Sequence, residues 1–502
     1  MTKKRVLLWV ISIIFLSFSL PAGAEKDTII IAQGVDPSTL DPHNHYETPA
    51  FNVCLNIFDT LLQRSQDLKI EPLLATSYRL INDTTWEFNL RKGVKFHNGE
   101  DFDAACVKFS LERMIDPKNK LKQALMGRIL DRVEIIDPYK VHIITKKPYP
   151  PLDAGLCTVG AMLPPKYVQE KGPAYISTNP VGTGPYRLVR WVKDDQIVLQ
   201  GNENYWRGAP RIKKAIFRPI PEATTRVAGL QTQELDIIVN IPPHLARLMD
   251  WKGRSHVSKI PSVRVIFMAF DNTKGGPAAD RRVRRAIAQA IDMEKIIKKV
   301  LEGNAVLLGS PLTRNHFGYD PGIKPHAYNP EEAKKLLAEA GYAKGFDFTL
   351  NSPNGRYLND KEVAEAVAGD LRKAGINASV KTHEWGTYMT MTYGHNVAPA
   401  YILGWGDASF DADGSMYALL RSGQVLSSYT NLKLDVLLDQ GQQTMDQKKR
   451  QKIYSEACQL IKEDAAWAFA YQQMDIYGVN ERVNWKSRPD ERLVLFDMSF
   501  KR

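Results

Sequence analysis

Short runs of alternating apolar and polar residues fill the first half of this chain. The second half turns to the three-to-four-residue spacing of amphipathic helices. The run TIIIAQ, Thr28 to Gln33, predicts a β-strand, closed by the turn-forming Asp36-Pro37-Ser38. Asn52 to Leu62 carries a helical pattern. Trp86, Phe88 and Leu90 then alternate, Gly93 turns, Val94 and Phe96 alternate, and Asn98-Gly99 turns again, which predicts a β-hairpin. Asp103 is placed to cap a helix over Ala104 to Met114, ended by Asp116-Pro117. Val133 to Lys146 predicts a strand pair, YRLVRW and QIVLQ further strands between Gly184 and Pro219, and Thr224 to Gln233 a helix.

After the apolar strand Val263 to Phe270 the pattern changes. Helices are predicted over Val283 to Leu301, Glu331 to Ala340 and Asp360 to Ala374, with strands at Phe346 to Asn351 and Ala378 to Thr382. The helix in NPEEAKKLLAEAGY is fully punctuated, with Asn329 as cap, Pro330 in the first turn and Gly341 as stop. Tyr401 to Trp405 predicts a strand, Leu432 to Thr444 and Gln447 to Glu463 two helices, and 474–480 and 492–498 closing β segments. A β-rich half thus precedes an α/β half, and strands return at the end.

The start reads differently. Lys3, Lys4 and Arg5 precede an apolar run from Val6 to Leu20, then Pro21 and Ala22-Gly23-Ala24, the layout of a secretory signal peptide cut after Ala24. No cysteine follows the cut to carry a lipid anchor, and no other apolar run reaches the roughly 18 residues that suggest a membrane span. An exported, soluble protein is expected, long enough for two large domains or about three. The formal charge of +11 is interleaved with acids, so a solvated surface explains it better than nucleic acid does. Cys54, Cys106, Cys157 and Cys458 lie far apart without metal-ligand spacing, and their pairing is left open.

The candidate chemistry centres on GWGDASFDADGS, Gly404 to Ser415. Laid on a calcium loop, Asp411, Asp413 and Gly414 fit the third, fifth and sixth positions, but Leu420 stands where the bidentate glutamate must be. Neither HExxH, GxSxG nor a phosphate-cradling loop occurs, so no metal, cofactor or catalytic residue is assigned. Turn and cap duties could occupy these aspartates. Alternatively Asp407, Asp411 or Asp413 meets a ligand ammonium, Arg356 in PNGRY holds a carboxylate, and Trp385 and Trp405 supply apolar walls.

Several motifs together resemble the extracytoplasmic solute-binding proteins of ABC transporters, in the dipeptide, oligopeptide and nickel-binding group (family 5). They are LDPH (Leu40 to His43), WEFNLRKGVKFHNGEDF (Trp86 to Phe102), NPVGTGPYRLVRW (Asn179 to Trp191), NENYWRGAP (Asn202 to Pro210), LQTQELDI (Leu230 to Ile237) and RRVRRAIAQAID (Arg281 to Asp292). The resemblance implies an α/β, bilobed periplasmic-binding-protein-like fold with a ligand cleft between lobes. Lobe 1 would span 25–268, with an inserted subdomain at about 62–175. Lobe 2 would span 269–477, and 478–502 would return to lobe 1. GTGPY and His97 would then be structural. Similar peptide binders hold the peptide ammonium with an aspartate whose slot falls on Ala408 here, Asp407 lying one position early and Asp411 three late. Arg356 matches a carboxylate-holding position of dipeptide binders, and Trp385 and Trp405 match pocket aromatics of oligopeptide binders.

The expected function is periplasmic capture of a peptide or peptide-like small solute by a monomer, for ABC permease and ATPase subunits at the inner membrane. Glutathione, an opine or a metal chelate is the alternative solute. An exported hydrolase or a module presenting ligand to a chemoreceptor would be a different class.

Overall fold

The computed structural model describes residues 27–407 and 409–501. The signal-peptide reading (1–24) and Ala408 lie outside the described residues.

One sheet runs through the molecule. From one edge its strands are Asn377–His383, Asp347–Pro353, Ala400–Gly406, Ser255–Phe270, Trp467–Asn480, Ile237–Ile238, Thr28–Gln33, Lys214–Pro219, Gln196–Gly201 and Tyr186–Val192, with Ala305–Leu308 joining Trp467–Asn480. The first three belong to one lobe and the last four to the other. Two long antiparallel strands, Ser255–Phe270 and Trp467–Asn480, cross between them. The expected boundaries at 268 and 477 fall inside these crossing strands. Their pairing is interrupted where Pro261 faces Met474 and Val265 faces Gln472, leaving Ser262, Val263 and Arg264 opposite Gln473. Such a bulge bends a strand and re-aims its side chains. Here it directs Arg264 between the lobes.

A separate antiparallel sheet, ordered Ala75–Asn82, Thr85–Leu90, Lys140–Thr145, Leu130–Asp137, packs on helix Ala104–Ile115 around its own apolar core, which includes Phe88, Phe102, Leu111 and Ile143. Asp103 caps that helix, accepting from the Ala105 and Cys106 N–H groups as its spacing predicts. The predicted hairpin is corrected. Thr85–Leu90 pairs with Ala75–Asn82 and Lys140–Thr145, whereas 94–96 joins only through a bridge from Lys95 to Asp101. Val94 and Phe96 alternate because both are buried in this core, not because they form a strand.

The predicted helix over Val283 to Leu301 is two helices, Arg281–Ala290 and Met293–Lys299. Asp292 breaks the run by capping the second through the Lys295 N–H. The basic cluster that opens the first is used internally: Arg282 pairs with Asp280, and buried Arg284 with Asp464. The closing 492–498 segment is also corrected. Leu493 and Leu495 are buried, but the backbone makes a single tight turn at Leu495–Asp497 before the short strand Ser499–Phe500.

GTGPY acts as packing. A Cβ on Gly182 or Gly184 would stand 2.1 or 2.6 Å from the Ile57 carbonyl oxygen, and the Gly184 N–H donates to that oxygen. His97 bonds the Gly184 carbonyl at 2.9 Å. All four cysteines carry free thiols.

Candidate functional site

Strands Asn377–His383, Asp347–Pro353 and Ala400–Gly406 are parallel neighbours. Their carboxyl ends therefore open on the same edge, where α/β sheets bind ligands. At these ends stand Trp385, which opens the helix after the first strand, Arg356 in the loop after the second, and Trp405 and Asp407 at the end of the third, so the fold gathers residues that the sequence separates.

The loop holding Arg356 is fixed from below. The Asp360 carboxylate accepts from the backbone N–H groups of Gly355, Arg356, Tyr357 and Lys361 at 2.8–3.1 Å. Gly355, at φ +80°, supplies the left-handed turn this requires. The Arg356 guanidinium then lies over the Tyr357 and Trp385 rings, 5.1 Å from each centroid. It has no hydrogen bond or ion pair to any described residue, which leaves its fork of donors open to a carboxylate. Trp385 begins helix Trp385–Tyr393, capped by Glu384. The Tyr357 hydroxyl donates to the Gly404 carbonyl at 3.2 Å and ties this loop to the GW loop.

The GW loop is held just as firmly. The Trp405 indole N–H donates to Gly414 O at 3.0 Å. Asp407 accepts from the Ser409 N–H and hydroxyl at 2.8 and 2.6 Å, and a Cβ on Gly414 would strike its carboxylate at 2.4 Å. Burial pushes the Asp407 carboxyl up to about 6. Both oxygens of Asp411 accept from Arg450, at 2.7 and 2.6 Å, in a pair closed to solvent. Asp411 also receives the Asp413 N–H, whereas Asp413-Gly414, expected as a turn, opens the helical segment Asp413–Tyr417. Asp413 accepts from Gln442 Nε2 and the Tyr149 hydroxyl, both at 2.9 Å, and burial followed by the charge of Asp411 raises it to about 7. Of the expected site residues, Arg356 and Trp385 are in direct contact and Trp405 and Asp407 sit at the adjacent strand end. Asp411 and Asp413 face protein partners.

Tyr149 belongs to the inserted sheet's core, so its bond to Asp413 joins the two lobes. Arg64 adds a second tie, donating to the Ser409 carbonyl and lying over Phe410 at 4.8 Å. Arg128 to Gln424 is a third. Between the lobes, Arg264 donates to both Glu491 oxygens at 2.8 and 2.6 Å and to Thr48 Oγ1 at 3.1 Å. Burial opposes ionisation of Glu491, but Arg264 outweighs it and holds the carboxyl below its usual range. Sequence reasoning missed Tyr149, Arg264, Tyr357, Glu491 and Arg492. Only Tyr357, the last residue of PNGRY, sits in a quoted motif, and their meeting depends on tertiary contacts.

A family profile described as "Bacterial extracellular solute-binding proteins, family 5 Middle" matches residues 69–427. The glutathione-binding protein GsiB of Pectobacterium atrosepticum is 29% identical over 462 residues, 89% of each chain. Helicobacter pylori DppA in complex with peptide STSA superposes with a TM-score of 0.87 at 26% identity, over 95% of this chain and 98% of that one. AgaA from A. tumefacien R10, in complex with agropinic acid, gives 0.85 at 25% identity, over 95% and 99%. The chain belongs to the family 5 bacterial extracellular solute-binding proteins, bilobed proteins that bind solutes for ABC importers.

Proposed function

We propose that this chain is exported to the periplasm and binds peptides or peptide-like solutes between its lobes. It would deliver them as a monomer to an inner-membrane permease driven by ATPase subunits, without chemical change to the solute. The observation that carries this reading is Arg356, a half-buried guanidinium set over two rings with no hydrogen-bond or ion-pair partner among the described residues. A ligand carboxylate is the complement this geometry accepts. Relatives named for glutathione and peptide binding support the same reading. The three interlobe ties correspond to closure, which ligand favours by binding the closed form better than the open one.

Calorimetry with a panel of free and C-terminally amidated dipeptides tests the assignment. Free peptides should bind, and amidation or Arg356→Ala should each weaken binding by about 2–5 kcal/mol. Equal affinity for the amidated series would remove Arg356 from the site.

A further inference from the structure

Three guanidinium groups, those of Arg264, Arg356 and Arg492, lie near the Glu491 carboxylate. Arg264 is committed to Glu491. Arg356 and Arg492 form no side-chain hydrogen bond or ion pair with any described residue. Each lies over aromatic rings instead, Arg492 at 4.0 Å from the Phe51 centroid. The contacts form a chain across the lobes. Arg356 and Arg264 lie 5.1 and 5.9 Å from the Tyr357 ring centroid, Arg264 reaches Thr48, and Phe51 follows Thr48 by three residues on helix Thr48–Ile57. Of the other acids close to this cluster, Asp490 is paired with Arg488, Asp360 accepts from four backbone N–H groups, and Asp475 is pushed above its usual range by burial and then by the charge of Glu491.

Beside Arg492 stands His45. It is 1% exposed, neither ring nitrogen has a hydrogen-bond partner among the described residues, and its ring meets Phe51 edge-on at 4.5 Å. Burial, and after it the charge of Arg492, holds this imidazole neutral, down at about 3. A neutral imidazole still donates one N–H. Unpaired guanidiniums and an unsatisfied buried imidazole are costly, and the cost is relieved by acceptors carrying negative charge.

We propose that the cleft selects a solute with two carboxylates, one held by Arg356 and the second by Arg492 with His45 beside it. The proposal rests on the reading of the chain as a binder of peptide-like solutes and narrows it to dianionic ones. An acidic peptide and a γ-glutamyl tripeptide both carry this chemistry.

The experiment titrates unfolded-and-refolded, ligand-free protein with Ala-Glu, Ala-Gln, γ-Glu-Cys-Gly and carboxyethyl-alanine, which has two carboxylates and no peptide bond. Ala-Glu should bind about tenfold or more tighter than its neutral isostere Ala-Gln. Arg492→Gln should remove most of that preference, weakening Ala-Glu about tenfold more than Ala-Gln. Should Arg492→Gln not fold, Arg492→Lys, which keeps the charge and loses the fork, provides the same comparison. Tighter binding of γ-Glu-Cys-Gly than Ala-Glu would identify the tripeptide source, and the reverse the acidic peptide. Equal binding of Ala-Glu and Ala-Gln by the wild type would overturn the proposal while leaving peptide capture intact, as would equal losses in Arg492→Gln. Arg492-dependent binding of carboxyethyl-alanine alone would uphold the two-carboxylate site and overturn the peptide reading. Binding of none of the four would overturn both.

Discussion

Replacing Tyr149 by phenylalanine removes one oxygen atom from the contact between the lobes. The ring stays in the inserted core, where it is 8% exposed, so folding of that region should be unaffected. What is lost is the hydroxyl's 2.9 Å bond to Asp413. Hydrogen bonds to charged groups contribute about 1.5–3 kcal/mol net. With Asp413 raised to about 7 the acceptor is only partly ionised at neutral pH, which places the loss nearer about 1–2 kcal/mol. The bond exists only when the lobes meet, and on opening both groups return to water. The loss therefore falls on the closed state, and about 1–2 kcal/mol there weakens apparent affinity roughly 5- to 30-fold. Calorimetry with the tightest-binding peptide would measure this, alongside a thermal melt of the unliganded variant to show that folding is intact. X-ray scattering with ligand should show a larger open fraction than in the wild type. An affinity within twofold of wild type, with intact folding, would refute the assignment of this contact to closure.

Two further outcomes follow from the GW loop. Arg450→Met leaves the Asp411 carboxylate buried and unpaired, and should lower unfolding free energy by about 3–5 kcal/mol in urea titrations. Arg450→Met combined with Asp411→Leu should recover much of that loss, and a double variant as unstable as the single would contradict the charge-burial account. Asp413 adds a pH dependence whose sign is set by its raised pKa. Folded protein retains a proton that the unfolded chain, with a carboxyl near 3.8, has released. The contribution is fully present below about 3.8 and is lost as pH rises through about 7. Relative to Asp413→Asn, the wild type should therefore lose stability between about pH 4 and 7, by up to about 4 kcal/mol. A gap that stays constant across that window would show that Asp413 is not held protonated.

The α/β half was legible where caps and period agree, as in Pro330–Glu339 and Gln447–Glu463, whose bounds match the pattern within a residue. The misreadings share a cause. Val94, Phe96, Leu493 and Leu495 alternate because their side chains are buried on irregular backbone, and period two does not distinguish that from a strand. Helix Trp385–Tyr393 was missed because its apolar positions form no clear stripe and its cap is a glutamate. Of the candidate site residues, Arg356 stands out in the sequence as a cation in a loop after a strand, whereas Trp385 opens the unpredicted helix. Arg264 with Glu491 and Tyr149 with Asp413 were not legible, because each pair is separated by more than two hundred residues and joined only by the fold.

The acid-rich GW loop suggests a site for a positive ligand group, and its surroundings reverse that inference. Asp411 is neutralised by Arg450, and burial raises Asp407 and Asp413 toward neutrality. The surplus charge is instead on the guanidiniums of Arg356 and Arg492, neither of which has an ion-pair partner among the described residues. Closing the lobes withdraws both from water, so an empty closed cleft bears an electrostatic penalty that the open form avoids. A ligand carboxylate at either group relieves the penalty in the closed form far more than in the open one. This difference in affinity is the quantity that shifts the equilibrium between states. On the proposed reading, the same charges that select the ligand would keep the unloaded protein open, so that closure would report occupancy to the importer.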